Sequence, residues 1–301
     1  MPALSEIEKS IDRSSPPKLE QSCNRIRHDA LAKLADYTGR NTIAYYSCWL
    51  SRSVVGCDIS DLDINGYMNV LNNMDRSKGL DLILHTPGGG IAATEQIVHY
   101  LRSAFKAKDG SGVSDIRCIV PQLAMSAGTM IACSANEIVM GRQSCLGPID
   151  PQLFGVPCHG VVEEFKTAKR EVSRKPSLLG VWQPIIGKYN PTFLGECQKA
   201  MDLSESLVEE WLATGMLRGD KKAARGVVKK LSNHAETKTH DRHIPIDRAR
   251  EIGLTVTQME DDNTFQDLIL TVHHSFMLTL LHSNIAKIIE SNAGKMFLIR
   301  A

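Results

Sequence analysis

Residues 80–105 read LDLILHT-PGGG-IAATEQIVHYLRSAF, a short apolar run, a proline-glycine turn and an amphipathic stretch with helical spacing. An apolar run of this length with turn residues behind it is a buried strand, and the 3.6-residue period that follows is a helix packed on one face. The same beat returns at once. Residues 116–120 (IRCIV) predict a second strand, PQLAM a turn, 126–135 (SAGTMIACSA) a helix of small residues, and 137–141 (EIVMG) a third strand. Strands separated by helices need crossover connections, so the expectation is an α/β fold with a mainly parallel sheet.

Working outward, residues 23–38 place Ile26, Ala30, Leu31 and Leu34 on one helical face, with Gly39 as a stop, and 42–49 (TIAYYSCW) form a buried strand. Residues 146–157 (LGPIDPQLFGVP) are a loop, and helices are expected at 161–172, beyond Pro191 and at 218–233. A short helix at 244–253 and a final amphipathic helix at 265–289 close the chain. The polar residues 1–20, which include Ser14-Ser15-Pro16-Pro17, read as a flexible leader. This divides the chain into the leader, a main domain at 21–256 and a C-terminal helical extension at 257–301.

Composition removes several classes of function. The 35 basic and 34 acidic side chains leave a net charge of +1, so overall electrostatics points to neither a nucleic acid nor an anionic membrane. Aromatic residues make up 5%, too few for base-stacking platforms. The basic stretch 221–230 has interleaved apolar residues and reads as an amphipathic helix with a solvated face. The eight cysteines form no C-x-x-C pair, which signals neither a zinc knuckle nor a redox pair and suits a reducing cytoplasm. There is no secretory leader and no apolar segment of about 20 residues, so no membrane anchor is expected. His234, His240 and His243 lack a carboxylate or cysteine at metal-site spacing, and no metal or cofactor is expected.

Two turns could do chemistry. His85-Thr86-Pro87-Gly88-Gly89-Gly90 lies between a strand and a helix, where main-chain N–H groups can approach an anion. It lacks the Lys-Ser/Thr of a P-loop and the G-x-G-x-x-G of a dinucleotide site. Ser126 opens the next helix among small neighbours, where it is either an N-cap or a nucleophile. In the second case the N–H of Ala127 and that of Gly88 or Gly89 form an oxyanion hole.

Together these turns resemble the Clp protease and signal peptide peptidase A. The series HTPGGG, AMSAGT, EIVMG, LGPIDPQ and THDRHIPIDRAREIGL is similar to the serine dehydrogenase proteinases, from about Cys23 to Val256. The resemblance implies the Clp protease/crotonase fold of repeated β-β-α units, a serine endopeptidase that works on a peptide or protein without ATP, and a homo-oligomer. The helix at 265–289 is a candidate oligomer contact. For the base, the Clp histidine position carries Asp150 here, and the Clp aspartate position carries His240. The implied triad is Ser126, Asp150 and His240. A Ser-Lys dyad with Lys166, as in signal peptide peptidase A, is the rival, and His159 is a further candidate. An enzyme acting on coenzyme A thioesters and a non-catalytic scaffold remain as alternatives on the same fold.

Overall fold

The computed structural model describes residues 4–52, 54–107, 113–232 and 239–301. Its centre is a seven-stranded sheet in the order β10-β5-β3-β2-β1-β11-β12. The strands are β1 (Asn41–Ser47), β2 (Leu80–His85), β3 (Ile116–Val120), β5 (Glu137–Met140), β10 (Val256–Gln258), β11 (Ile285–Ser291) and β12 (Met296–Arg300). From β10 to β1 every pairing is parallel, and β11 and β12 add an antiparallel edge. This is the mainly parallel α/β architecture expected from the crossovers.

Every residue of β1 and β2 is buried, as a sheet covered on both faces requires. The pleat sends Ile43, Tyr45, Leu82 and Leu84 to one face, beneath α3 (Asp63–Leu71), α4 (Ile91–Ala104) and α5 (Ala127–Cys133). Ala44, Tyr46 and Ile83 go to the other, beneath α2 (Pro16–Thr38) and α11 (Asn263–Leu281).

A second, three-stranded strip positions the candidate site. Its members β4 (Leu123–Ala124), β6 (Cys145–Leu146) and β9 (Ile244–Pro245) pair in that order, β4 with β6 in parallel and β6 with β9 antiparallel. Each of the first two follows a strand of the main sheet, and α5 follows β4, which gives the β-β-α repeat.

Two expectations need correction. The stretch read as a flexible leader contains α1 (Leu4–Lys9) and the first turn of α2, with Ile7, Ile11 and Cys23 buried against Leu278. The helix expected over 265–289 ends at Leu281, and IAKIIES is strand β11, buried at all seven positions. The reason is that Lys287 breaks the apolar pattern of a β-branched run while sitting fully buried itself. Ile269, Val272 and Phe276 of α11 are likewise buried under the sheet, so one face of this helix is part of the core. Among the described residues no helix is long and apolar enough to cross a membrane.

On the α2/α11 face, buried histidines tie stability to pH. His85 is fully buried, and neither of its ring nitrogens has a hydrogen-bond partner among the described residues. It packs against Tyr46 and His273, whose Nδ1 lies 3.2 Å from the Tyr46 hydroxyl. Burial drives the His85 imidazole down to about 3. Burial also lowers His273, with the nearby His85 adding to the effect. Both are neutral in the folded protein, whereas in the unfolded chain histidine takes up its proton near about 6.5. The unfolded state therefore binds more protons below that pH. Stability complete at neutral pH is lost as pH falls from about 6.5 toward about 3, at up to about 1.4 kcal/mol per pH unit for each histidine. Urea midpoints measured between about pH 7.5 and about pH 5 should fall, and His85→Phe should flatten that slope by about one proton's worth.

Candidate active site

The two turns singled out in the sequence meet at the C-terminal ends of β2 and β4. The Thr86 N–H donates to the Leu123 carbonyl (3.1 Å) and the Met125 N–H to the Thr86 carbonyl (3.0 Å), which locks one turn to the other. Gly88 has φ +104°, and a Cβ there would stand 2.7 Å from the Ser126 Cβ and 3.0 Å from the Ala127 nitrogen. Only glycine permits that approach. Ser126 is a half-buried residue with φ +51° and ψ −117°, directly ahead of α5. A non-glycine residue held there costs about 1–3 kcal/mol, and such strain concentrates at functional sites. Its hydroxyl does not cap the helix, so the N-cap role leaves the residue unexplained.

The glycine turn is held open from its far side by Ile59. The Ile59 N–H donates to the Gly88 carbonyl (2.7 Å) and the Gly90 N–H donates to the Ile59 carbonyl (2.9 Å). In this parallel bridge the N–H of Gly89 turns away from Ile59. A Cβ on Gly89 would come within 2.3 Å of the Ile59 nitrogen and oxygen. The Gly88 N–H is engaged by Thr86 Oγ1 (3.2 Å), whereas those of Gly89 and Ala127 have no partner among the described residues. Two donors beside one serine, one of them at a helix start, can hold a developing oxyanion.

Ile59 is anchored by a buried ion pair that sequence reading missed. Lys287 Nζ donates to the Asp58 carbonyl (2.7 Å) and to both oxygens of Asp63 (2.7 and 2.9 Å), with both side chains fully buried. Asp63 also accepts from the Tyr45 hydroxyl (2.8 Å) and the Ser60 N–H (3.0 Å). Desolvation pulls Lys287 below its ordinary value, and the opposing pull of Asp63 limits the fall.

The remaining candidates separate clearly. Ala124 and Ile244 both pair with Leu146, and the chain senses require the segments after Ala124, after Leu146 and before Ile244 to leave the strip at one end. Those segments carry Ser126, Asp150 and His240. The loop between is seated on the serine turn: the Gly147 N–H donates to Thr129 Oγ1 (2.9 Å), and a Cβ on Gly147 would lie 3.2 Å from the Met125 Cα. Asp150 is buried at 2% exposure, and its Oδ1 lies 2.9 Å from His240 Nδ1. Its backbone is steadied next door, where Ser204 Oγ donates to the Ile149 carbonyl (2.9 Å). With Nδ1–H given to the carboxylate, Nε2 of His240 is the nitrogen left to accept a proton. Ser126 Oγ itself has no hydrogen-bond partner among the described residues.

Lys166 lies exposed on α6 (Cys158–Arg174), without the desolvation a lysine base needs. His159, on the first turn of α6, has its Nδ1 3.7 Å from Glu163. Of the three histidines weighed as metal ligands, His234 lies outside the described residues, and among those described no group of three His, Cys, Asp or Glu side chains is placed to hold a metal. A cleft of about 910 Å³ lined by Arg76, Lys106, Asp115 and Arg218 lies at the opposite, N-terminal ends of the parallel strands and contains none of the site residues.

A helix-opening serine facing a glycine turn across neighbouring crossovers of a parallel sheet defines a ClpP-like arrangement. The chain belongs to the ClpP-like SDH-type serine proteinases, whose family model matches residues 17–274. Two uncharacterized proteins of Methanocaldococcus jannaschii are similar to it. One is 33% identical over 177 residues, which covers 59% of this chain and 51% of the relative. The other is 31% identical over 204 residues, which covers 64% of this chain and 59% of the relative. The chain thus spans between half and three fifths of the length of these relatives.

Lys287→Met strands the Asp63 carboxylate in the core and should cost about 3–5 kcal/mol in urea denaturation, and Lys287→Met with Asp63→Leu should recover part of that loss.

Proposed function

We propose that this protein is a serine endopeptidase that hydrolyses peptide bonds through an acyl-enzyme on Ser126. The observation that carries the reading is the buried Asp150 carboxylate holding His240 at 2.9 Å, at the end of the strip from which Ser126 also emerges. His240 Nε2 takes the proton of the Ser126 hydroxyl as Oγ attacks the substrate carbonyl, then returns it to the departing amine. Water repeats the cycle on the ester, and the acid product leaves. Asp150 fixes the ring and stabilises the imidazolium. The carbonyl oxygen, negative in the tetrahedral intermediate, accepts from the N–H groups of Gly89 and Ala127. Gly88 serves by its lack of a side chain beside Ser126.

This chemistry uses no cofactor and no ATP. A peptide or protein substrate in extended form suits the small residues around Ser126, and assembly into a homo-oligomer belongs to the same proposal. The exposure of Lys166 weighs against the dyad.

A fluorophosphonate probe tests the scheme directly. Labelling should occur on the wild type and vanish in Ser126→Ala, and an adduct that persists in that variant would sink the assignment. His240→Ala and Asp150→Asn should slow labelling and peptide cleavage by about 10²–10⁴-fold, and Lys166→Gln should leave both rates within about twofold. Gly89→Ala, which forces the turn off Ile59, should lower cleavage by about 10²–10³-fold, as removal of an oxyanion donor does.

A further inference from the structure

Two thiols lie against each other next to the residue that holds the glycine turn. Cys48 follows β1 directly, and its N–H donates to the Ala286 carbonyl of β11 (2.9 Å), which fixes it to the sheet. Cys57 precedes Asp58, whose carbonyl accepts from Lys287, and Ile59, which pairs with the glycines. The two Sγ atoms are 3.5 Å apart. A disulfide is about 2.05 Å long, so closing one takes a shift of about 1.5 Å. The chain between them can supply it. Its described residues are turn and loop, Val55 is fully in solvent, and Gly56 has φ +96°.

All eight cysteines are free thiols, and access separates the paired ones. Cys158, behind the hairpin of β7 (Gln152–Leu153) and β8 (Val156–Pro157), interacts with Cys197 of α8 (Phe193–Thr214), and both are fully buried. Cys118 and Cys133 are fully buried as well. Cys57 keeps 6% exposure at the root of a surface loop, so a small oxidant meets it first. Cys48, at 1%, waits behind it. One accessible thiol with a second in contact is the arrangement of an attacking and a resolving cysteine.

We infer that Cys48 and Cys57 are an oxidative modification site: hydrogen peroxide joins them in a reversible disulfide that ties the Ile59 segment to the sheet. In the first step the Cys57 sulfur attacks one peroxide oxygen, the O–O bond breaks, and a sulfenic acid and one water form. The Cys48 sulfur then attacks the sulfenic sulfur. The S–O bond breaks, the hydroxyl leaves with the Cys48 proton as a second water, and the S–S bond closes. Two thiols have given two electrons to one peroxide. A small dithiol reverses the change by exchange. Burial, reinforced by the Cys48 thiol, pushes Cys57 up to about 11. Thiolate is therefore scarce near neutral pH, and the bond forms slowly, under sustained oxidant. Once closed, it fixes the residues before Ile59 by a route that does not use Lys287, and it restricts the unfolded chain.

Trypsin gives a direct reading, because Arg52 separates the two cysteines: Cys48 falls in peptide 41–52 and Cys57 in peptide 53–76. The full chain is held in hydrogen peroxide, alkylated and digested without reductant. The two peptides should appear joined, lighter than their sum by two hydrogens, and should separate in dithiothreitol. The oxidised protein should unfold at a urea midpoint about 1 M above the reduced one. Exchange of the Ile59 and Gly90 amide hydrogens should slow by about tenfold or more. Cys48→Ala should abolish both oxidant-dependent shifts. The inference is overturned if both cysteines stay alkylated in separate peptides, if either is joined to a different cysteine, or if the joined form gains nothing in urea. Should Cys48→Ala fail to fold, the wild-type peptide map and urea midpoints decide alone. Each readout is independent of any chemistry at Ser126.

Discussion

The approach of Gly88 to Ser126 is the constraint on which the candidate site depends. Two crossovers bring their turns so near that no side chain fits between them, and Thr86 ties the turns together with two backbone hydrogen bonds. Ser126 accepts an unfavourable backbone angle as the outcome, and its hydroxyl stays out of helix capping. What looks locally like two defects, a glycine run and a strained serine, is one geometry that leaves two N–H groups unpaired in a protected corner.

That corner is built on buried charge. Lys287 and Asp63 hold the segment bearing Ile59. Arg27, fully buried, pairs with Glu290 at 2.7 Å on the same strand, β11. Burial tends to raise Glu290 and the guanidinium beside it pulls the other way. Such pairs add little net stability relative to apolar replacements, yet a partner removed from either leaves an expensive orphan. They act here by fixing register: β11 can sit against β1 in one alignment only, with Lys287 opposite Ser47 and Glu290 opposite Ala44.

The half of the architecture that carries the candidate site is legible in the sequence because its signals are local. Apolar runs, a triple glycine and a serine opening a small-residue helix each carry their meaning within a few residues. The parallel strands β1, β2, β3 and β5, with α4 and α5, follow from them directly, whereas β11 and β12 do not. Asp150 and His240 had no such local mark and came forward only through resemblance, since their partnership joins segments 90 residues apart. Ile59, Asp63 and Lys287 stayed invisible for the same reason. A lysine in IAKIIES is an ordinary surface residue until Asp63, 224 positions away, is placed beside it. The first two helices are hidden differently: α1 and the start of α2 are polar on most sides, and the apolar residues they and their connection bury are few, Ile7, Ile11 and Cys23.

The position of β11 in the chain has an outcome for biosynthesis. Translation proceeds from the amino end, so Ser126, Asp150 and His240 emerge from the ribosome well before residue 287. Until that late strand docks, the segment bearing Ile59 lacks its Lys287 anchor, and the carboxylate of Asp63 has no counter-ion. A growing polypeptide thus carries these candidate site residues before the strand that braces the glycine turn is in place. Completion of this sheet edge therefore decides when the buried cation reaches Asp63 and the Asp58 carbonyl beside Ile59.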